Sequence, residues 1–126
     1  MYEYKALLKR VVDGDTIDVY VDLGFSITME MRLRLADIDT PELRSKDEAE
    51  REAAQAAKKF VEDYIGNNPL LIRTRKTSSG KERTTFGRFV ADIWVVRTDT
   101  ASGLGLNPEL KFLNQVIVEE GHGKVY

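Results

Sequence analysis

The sequence predicts an α+β fold in which strands predominate, a five-stranded antiparallel Greek-key barrel with two flanking helices. Three observations lead to this prediction. Apolar and polar residues alternate in several runs, which is the two-residue period of half-buried strands. Two other stretches repeat apolar residues at three- and four-residue spacings, as amphipathic helices do. The chain has 126 residues, a length that suits one domain over residues 1–126.

The first three strands are predicted to be consecutive and antiparallel. Tyr4–Val12 mixes apolar and basic residues, and the Asp13-Gly14 pair after it is a hairpin-type turn signal. Two alternating runs follow, separated by a glycine turn. Their apolar positions are Ile17, Val19 and Val21, then Met29, Met31, Leu33 and Leu35. Each strand therefore presents one face to a core.

A long helix is predicted next. Ser45 and Glu48 have the spacing of a capping box, and Asp47 is an alternative N-cap. Gly66 ends the pattern. The expected buried face comprises Ala49, Ala53, Ala56, Ala57, Phe60, Val61 and Tyr64.

Two more strands and a second helix complete the pattern. The strands are predicted at Leu70–Lys76 and Thr85–Val96. The helix is predicted to begin at Asn107-Pro108, a cap followed by proline at the first helical position. Its expected buried stripe is Leu110, Leu113 and Ile117. A helix between strands three and four of a five-stranded set is the order of the OB-fold, a small barrel that often binds oligonucleotides.

Composition narrows the possible chemistry. The chain has no Cys and one His, His122, which excludes disulfides, thiolate nucleophiles and multi-histidine zinc sites. No apolar run approaches the about 18–20 residues of a membrane span, so we expect a soluble monomer with no membrane partner. The first residues, Met1–Lys5, carry no apolar export signal. We therefore expect a cytoplasmic or phage-type protein.

The charge is unevenly distributed along the chain. The net charge is −2, yet six bases and one acid lie between Arg73 and Arg88. A local basic segment contacts a polyanion through its own groups, whatever the overall sum. A solvated hairpin with a charged tip also explains this segment, and on charge alone it is the favoured interpretation.

Two short clusters carry the candidate chemistry. Asp15 opens the second strand and shares the parity of its buried face, so we expect it at the rim of the core. Asp39 follows the third strand, which is predicted to pair with the second. Two adjacent carboxylates repel unless a cation lies between them, and oxygen ligands favour a hard ion such as Ca²⁺ or Mg²⁺. Taken singly, each cluster is also ordinary turn chemistry.

The clusters together resemble a known family, the staphylococcal (micrococcal) nuclease-like proteins, or thermonucleases. The family's hallmarks appear here in order as Asp13-Gly14-Asp15-Thr16, as the run Arg34–Glu42 with its Asp-Thr-Pro-Glu end, and as Phe86-Gly87-Arg88. The resemblance extends from about residue 4 to the end of the chain. It agrees with the element order derived above.

The resemblance implies an activity and roles for particular residues. It implies Ca²⁺-dependent hydrolysis of DNA or RNA phosphodiesters, with 3′-phosphate products. Ca²⁺ would be held by Asp15, Asp39 and the main-chain carbonyl of Thr40. The remaining roles are carried by Glu42, which would orient or deprotonate the attacking water, and by Arg34 and Arg88, which would grip the scissile phosphate. This is physically reasonable, because guanidinium groups and a metal neutralise an anion that repels its nucleophile.

Some positions depart from the family pattern. Where the family carries a charged residue and a tyrosine before Gly-Arg, this chain has Thr85 and Phe86. We expect these two residues to contact substrate, with Arg83 or Lys81 replacing the lost charge. Asp37 is an additional acid that either enlarges the metal site or caps a turn, and the turn is favoured. Tyr20, Tyr64 and Trp94 are interpreted as packing residues, and His122 as an ordinary, partly exposed histidine.

Two other interpretations remain open. The chain is alternatively a non-catalytic OB-type module that binds nucleic acid or a protein partner. A purely structural barrel with solvated charges is the third interpretation. Retention of Glu42, Arg34 and Arg88 favours catalysis over the non-catalytic module. The purely structural barrel leaves the clustering of acids with arginines unexplained.

Overall fold

The computed structural model describes residues 3–75, 84–85, 88–97 and 109–125, with backbone alone at positions 84, 85 and 88. It contains two helices, α1 (Glu48–Ile65) and α2 (Leu113–Glu119). The strands are β1 (Glu3–Asp13), β2 (Thr16–Asp22), β3 (Thr28–Leu35), β4 (Ile38–Asp39), β5 (Leu70–Thr74), β6 (Thr84–Thr85), β7 (Arg88–Arg97), β8 (Glu109–Phe112) and β9 (Lys124–Val125).

Five strands form a closed barrel in the order β3-β2-β1-β5-β7, with β7 returning to β3. The predicted class, a mostly β barrel with two helices, is confirmed. One seam differs from the prediction, because β3 and β7 are parallel, with Arg34 opposite Val90 and Leu35 opposite Ala91. Four successive antiparallel pairings bring β7 back to the direction of β3. A ring of five strands therefore cannot alternate throughout.

The inward side chains of the barrel make the core. The alternation predicted for β2 and β3 is confirmed for Ile17, Val19, Val21, Leu33 and Leu35, all of which are buried. Met31 is partly buried, but Met29 is 53% exposed, so the prediction is wrong at that end of β3. The neighbouring strands add Ala6, Val11, Leu70, Ile72, Ala91, Ile93 and Val95. The helices contribute Val61, Ile65, Leu113 and Ile117.

Helix α1 occupies the predicted segment, but its buried face is rotated from the expected one. The buried residues are Ala54, Ala57, Val61 and Ile65, whereas Ala49, Ala53 and Ala56 are exposed. Alanines are too small to mark a face by themselves, because they are accepted on either side of a helix. Asp47 is the N-cap, accepting a hydrogen bond from the backbone N–H of Ala49. The Ser45 capping box is therefore wrong, and the end at Gly66 is confirmed.

The second helix begins later than the sequence predicts. Glu109–Phe112 is strand β8, which pairs with β7 and places Trp94 opposite Phe112. Helix α2 starts only at Leu113. Leu113 and Ile117 are buried as predicted, but Leu110 is 51% exposed. The predicted helix start at residues 107–108 and most of the loop before it lie outside the described residues.

A short two-stranded sheet, which the sequence pattern does not predict, pairs β4 with β9. Asp39 lies opposite Lys124 in this pair. Strand β4 directly follows β3, so the pair fixes the chain at the edge of the barrel where the candidate site lies. Neither helix has the length and apolarity needed to cross a membrane, as judged over the described residues.

Candidate active-site cleft

Asp15 is the most buried carboxylate of the site. It lies in the turn between β1 and β2 and is only 7% exposed. Its Oδ1 accepts a hydrogen bond from Thr16 Oγ1 at 3.1 Å, and its Oδ2 accepts one from the Thr40 backbone N–H at 3.2 Å. The backbone carbonyl of Asp15 also accepts the Leu35 N–H at 2.8 Å. These bonds tie the turn to the end of β3 and fix the carboxylate in one orientation.

Arg34 connects the two candidate metal ligands. Its Nη2 lies 3.5 Å from Asp15 Oδ2 and 3.6 Å from Asp39 Oδ1. Its Nη1 donates to the backbone carbonyls of Leu35 and Ile38, at 2.8 and 3.0 Å. The guanidinium is thus anchored to the backbone on one side and faces both carboxylates on the other. Asp15 and Asp39, which are distant in sequence, converge on one nitrogen.

Thr40 is buried behind these carboxylates. Its Oγ1 is buried and has no hydrogen-bond partner among the described residues. A Cβ added at Gly14 would lie 2.9 Å from this oxygen and 2.9 Å from the Ala57 Cβ. Only glycine fits this approach, so the Asp13-Gly14 turn packs directly against α1 and Thr40.

Glu42 lies at the open side of the same cleft. The cleft has a volume of about 500 Å³ and is also lined by Asp13, Asp15, Arg34 and Asp39. Glu42 is exposed, and its carboxylate makes no hydrogen bond or ion pair within the part of the chain that the structure describes. A second cleft, of about 330 Å³, adjoins it at Asp39 and Thr40.

Asp13 and Asp15 share an unusual electrostatic environment. Burial, followed by a hydrogen bond and charge repulsion from Asp15, raises the pKa of Asp13 to about 6. Burial alone would also raise the pKa of Asp15, but the hydrogen bond from Asp13, the Arg34 charge and the Thr40 N–H lower it overall. Asp15 is therefore the ionised member of the pair, while Asp13 holds a proton more readily.

The donor atoms of the cleft suit a hard cation. Asp15 and Asp39 present carboxylate oxygens to one space, which Thr40 also lines. No group of three or more His, Cys, Asp or Glu side chains poised for a metal occurs among the described residues. A small number of protein oxygen ligands is sufficient for an ion whose remaining coordination positions are filled by water and substrate phosphate.

The structure brings together five of the nine predicted site residues. The side chains of the other four lie outside the described part of the chain. Asp15, Arg34, Asp39, Thr40 and Glu42 line one cleft. For Arg88 and Thr85 only the backbone is described. Thr85 pairs with Arg88, and Arg88 lies opposite Arg32 of β3. Phe86 and Arg83 lie outside the described residues.

Two residues that could be confused with the site lie elsewhere. Asp37 adopts a positive φ of 64°, and its carboxylate accepts a hydrogen bond from Arg75 at 2.9 Å. It does not line the cleft, which agrees with the turn interpretation. Arg32 is paired with Asp18, so Arg34 alone of the two reaches Asp15.

Asp13 lines the cleft, although its Asp-Gly pair predicts only a turn. The sequence signal was the proximity of Asp13 to Asp15, two positions away in the turn that joins β1 to β2. Among the aromatic residues, Tyr64 packs on Phe60 and Trp94 on Phe112, as expected for packing residues. His122 is partly buried and stacks on Phe60 at 4.7 Å. Tyr20 is 40% exposed and lies outside the core cluster, so its packing role stays a prediction.

Comparison with known proteins assigns the chain to a family. The family described as "Staphylococcal nuclease homologue" matches residues 32–126, about three quarters of the chain. The chain belongs to this family. The match includes Arg34, Asp39, Thr40 and Glu42 of the cleft, and it starts within β3, after Asp15.

Two relatives illustrate the similarity of this staphylococcal nuclease homologue. It is 29% identical over 124 residues to Protein ParB of Escherichia coli, covering 98% of this chain and 58% of that protein. It is 30% identical over 89 residues to Thermonuclease of Staphylococcus intermedius, covering 71% of this chain and 48% of that protein. The chain thus spans about half the length of these curated relatives.

Proposed function

We propose that this protein is a Ca²⁺-dependent nuclease that hydrolyses phosphodiester bonds of DNA or RNA and leaves 3′-phosphates. The observation that carries the proposal is the convergence of Asp15 and Asp39 on Arg34 Nη2, at 3.5 and 3.6 Å. Family membership and the similarity to Thermonuclease support the same reaction class.

Each residue of the cleft has a defined role in the proposal. Arg34 binds a phosphate oxygen through the guanidinium edge that now faces the carboxylates, and Arg88 is proposed as the second cation on the same phosphate. Glu42 accepts a proton from a water molecule, whose oxygen attacks phosphorus. The P–O5′ bond breaks, and the 5′ oxygen leaves with a proton from solvent, so the products are a 3′-phosphate and a 5′-hydroxyl. Glu42 suits this role because its carboxylate is exposed and has no partner among the described residues.

Asp15 and Asp39, with Thr40, are the proposed Ca²⁺ ligands. When bound, the ion supplies positive charge that stabilises the phosphate as negative charge accumulates on it. The Thr40 N–H and Thr16 hydroxyl keep the Asp15 carboxylate in place. Thr85, Phe86 and Arg83 are proposed to contact the substrate beyond the scissile bond.

The decisive test is cleavage of single-stranded DNA and of RNA with Ca²⁺ or with EDTA. We expect cleavage with Ca²⁺ only. Glu42→Gln is expected to lower turnover by about 10²–10³-fold, with a free energy of unfolding unchanged within about 0.5 kcal/mol because Glu42 is exposed. Glu52→Gln, at an exposed position of α1, is the matched control. Cleavage that persists in EDTA, or survives in Glu42→Gln, would contradict the proposal.

One observation favours an alternative, a non-catalytic module that binds nucleic acid or a protein partner. Asp15 and Asp39 already share Arg34 as a cationic partner, so part of their negative charge is compensated without a metal ion. Calorimetric titration with Ca²⁺ in the presence of a nucleotide bisphosphate separates the two functions. Heat of Ca²⁺ binding supports the nuclease, whereas metal-independent binding of nucleic acid without turnover supports the module.

A further inference from the structure

A second cationic group lies beside the cleft, on the outer face of β1, β2 and β3. Asp18 of β2 lies opposite Arg10 of β1 and Arg32 of β3. The neighbouring row on the same face is Thr16 opposite Arg34, which belongs to the cleft. Two residues along a strand correspond to about 6.6 Å. The second row is therefore within reach of a polymer that occupies the cleft.

The carboxylate of Asp18 is fully engaged inside this row. Arg32 donates to both of its oxygens, at 2.8 and 3.1 Å, and Arg10 Nε donates at 2.8 Å. Asp18 is buried, so it offers little exposed negative charge to an approaching anion. Its position between two guanidiniums instead holds both of them at the surface.

Arg10 retains unused donors. Its side chain is 62% exposed and bonds to Asp18 through Nε. Within the described ranges, its two terminal nitrogens have no hydrogen-bond partner. The side chain of Arg32 is also accessible, at 41%. Planar guanidinium groups with exposed N–H donors bind phosphate oxygens well.

A backbone irregularity helps to present Arg10. The register between β1 and β2 shifts between Leu8 and Arg10, and both Lys9 and Arg10 are exposed instead of alternating. Bulges of this kind redirect side chains and are common next to functional sites. Lys9 pairs with Glu30 at 2.5 Å, so that acid is neutralised at the border of the row.

The next row along β2 carries an exposed aromatic ring. Tyr20 lies opposite Leu7 and Glu30 and is on the same face as Asp18. It does not belong to the core cluster. An aromatic ring beside exposed cations is the combination by which proteins bind single-stranded nucleic acid, since bases stack on the ring while the cations contact the backbone.

We propose that a single-stranded polynucleotide held in the cleft continues over this flanking surface, defined by Arg10, Arg32 and Tyr20. A phosphate next to the scissile one contacts Arg10 and Arg32, and a base stacks on Tyr20. This inference rests on the proposed function for the position of the strand in the cleft. Three cations, Lys9, Arg10 and Arg32, stand here against the two paired acids Asp18 and Glu30, which leaves a local positive charge.

The test compares a short and a long substrate in matched variants. Wild type, Arg10→Gln, Tyr20→Leu and the double variant are assayed with a dinucleotide and with a 12-nucleotide single strand, and binding of the 12-mer is measured in a Glu42→Gln background. The control is Lys59→Gln, because Lys59 is an exposed cation of α1, paired with Asp63, and is not part of the flanking surface. Urea unfolding verifies that each variant is folded.

We expect the double variant to bind the 12-mer at least about tenfold more weakly than wild type. The slope of the logarithm of affinity against the logarithm of salt concentration should become shallower by the equivalent of about one phosphate contact. Turnover of the dinucleotide should stay within twofold of wild type, and Lys59→Gln should behave as wild type in both assays. Weaker 12-mer binding without any cleavage would support the flanking surface while refuting the nuclease.

Two results would overturn the inference without touching the proposed function. The first is normal 12-mer binding by the double variant in a protein that cleaves with Ca²⁺. The second is loss of affinity in Arg10→Gln that is equal for single strand and duplex, with no effect of Tyr20→Leu, since stacking on Tyr20 requires an unpaired base.

Discussion

Arg34 combines a structural and a proposed chemical role in one side chain. Its Nη1 satisfies the carbonyls of Leu35 and Ile38, while its Nη2 faces Asp15 and Asp39. A lysine keeps the charge but has no planar fork, so it cannot reproduce both sets of contacts. The two roles can therefore be separated by measuring stability and turnover in the same variants.

Arg34→Lys is expected to lower the free energy of unfolding by about 1–3 kcal/mol, because backbone carbonyls lose their donor. It should also lower turnover by about 10²-fold or more. Urea unfolding and a phosphodiester cleavage assay measure the two effects. Glu42→Gln is the comparison, since only its turnover should fall. Unchanged stability in Arg34→Lys would show that the carbonyl contacts contribute little.

Asp18 makes stability depend on pH in the acid range. Hydrogen bonds from Arg32, together with Arg10, lower the pKa of Asp18 to about 2 despite its burial. A depressed folded-state pKa stabilises the protein above the unfolded value near 4, and this contribution disappears as the pH falls towards 2. The arginines are partly exposed, so solvent screening reduces the contribution to about 1–2 kcal/mol.

Asp18→Asn is accordingly expected to be less stable than wild type by about 1–2 kcal/mol at pH 6, with the difference closing near pH 2. Urea unfolding at a series of pH values measures it. Asp63→Asn, at an exposed pair with Lys59 on α1, is the control and should change stability little. A difference between Asp18→Asn and wild type that is the same at pH 6 and pH 2 would exclude this mechanism.

At the residue scale, the sequence predicted the burial of some polar residues correctly and of others wrongly. The two-residue period correctly put Asp15 on the buried side of β2, because strand parity is a local property. The same parity assigned Thr16 and Asp18 to solvent, yet both are buried. Asp18 is covered by arginines from two other strands, and such cover depends on the cross-strand register, which a single strand does not reveal.

At the element scale, the cap of α1 can be tested directly. Asp47 Oδ1 accepts the Ala49 N–H at 3.2 Å, and Ser45 Oγ accepts the Asp47 N–H at 3.1 Å. Asp47→Ala is expected to lower the free energy of unfolding by about 1 kcal/mol. Ser45→Ala, which leaves the helix N–H groups bonded, should cost less. Thermal unfolding of the two variants ranks them, and the reverse order would favour the capping box.

The contact between the Asp13-Gly14 turn and α1 gives a second prediction at this scale. The Cβ of Gly14→Ala would meet Ala57 and Thr40 at 2.9 Å, so the helix must shift away. We expect a loss of about 1–3 kcal/mol in the free energy of unfolding. Ala57→Gly should recover part of it, because it removes one of the two opposing atoms. Urea unfolding of both single variants and the double variant measures the coupling, and strictly additive losses would contradict direct contact.

Element boundaries were predictable where the signal is local. Alternation in β2 and β3 and the glycine at the end of α1 gave nearly correct limits. The segment 109–112 follows the helix-start signal at residues 107–108 and was predicted to be helical, but it pairs with β7 instead. There Phe112 stacks on Trp94 at 5.1 Å, so a tertiary contact overrode local preference. The β4–β9 pair joins two-residue strands from distant parts of the chain, and no local sequence pattern predicts it.

At the scale of the whole molecule, Asn114 links α2 to the seam that closes the barrel. Its Nδ2 donates to the carbonyls of Ala36 and Ala91, at 3.0 and 3.2 Å, and its Oδ1 accepts the Ile93 N–H at 3.1 Å. Ala36 directly follows β3, while Ala91 and Ile93 belong to β7. Because the side chain is buried, no water replaces these bonds easily.

Asn114→Ala is therefore expected to lower the free energy of unfolding by about 2–4 kcal/mol, since it removes three buried hydrogen bonds to the backbone. Gln115→Ala, on the exposed side of the same helix, should change it by less than about 0.5 kcal/mol.

Trp94 fluorescence reports on β7, and far-UV circular dichroism reports on the helices. If the chain is one domain, as we propose, both signals give the same urea midpoint in wild type. The Asn114→Ala midpoint should then move equally by both probes, because α2 and the barrel seam unfold together. Separate midpoints in wild type would contradict the single domain, and an unshifted midpoint in Asn114→Ala would show that the seam closes without this side chain.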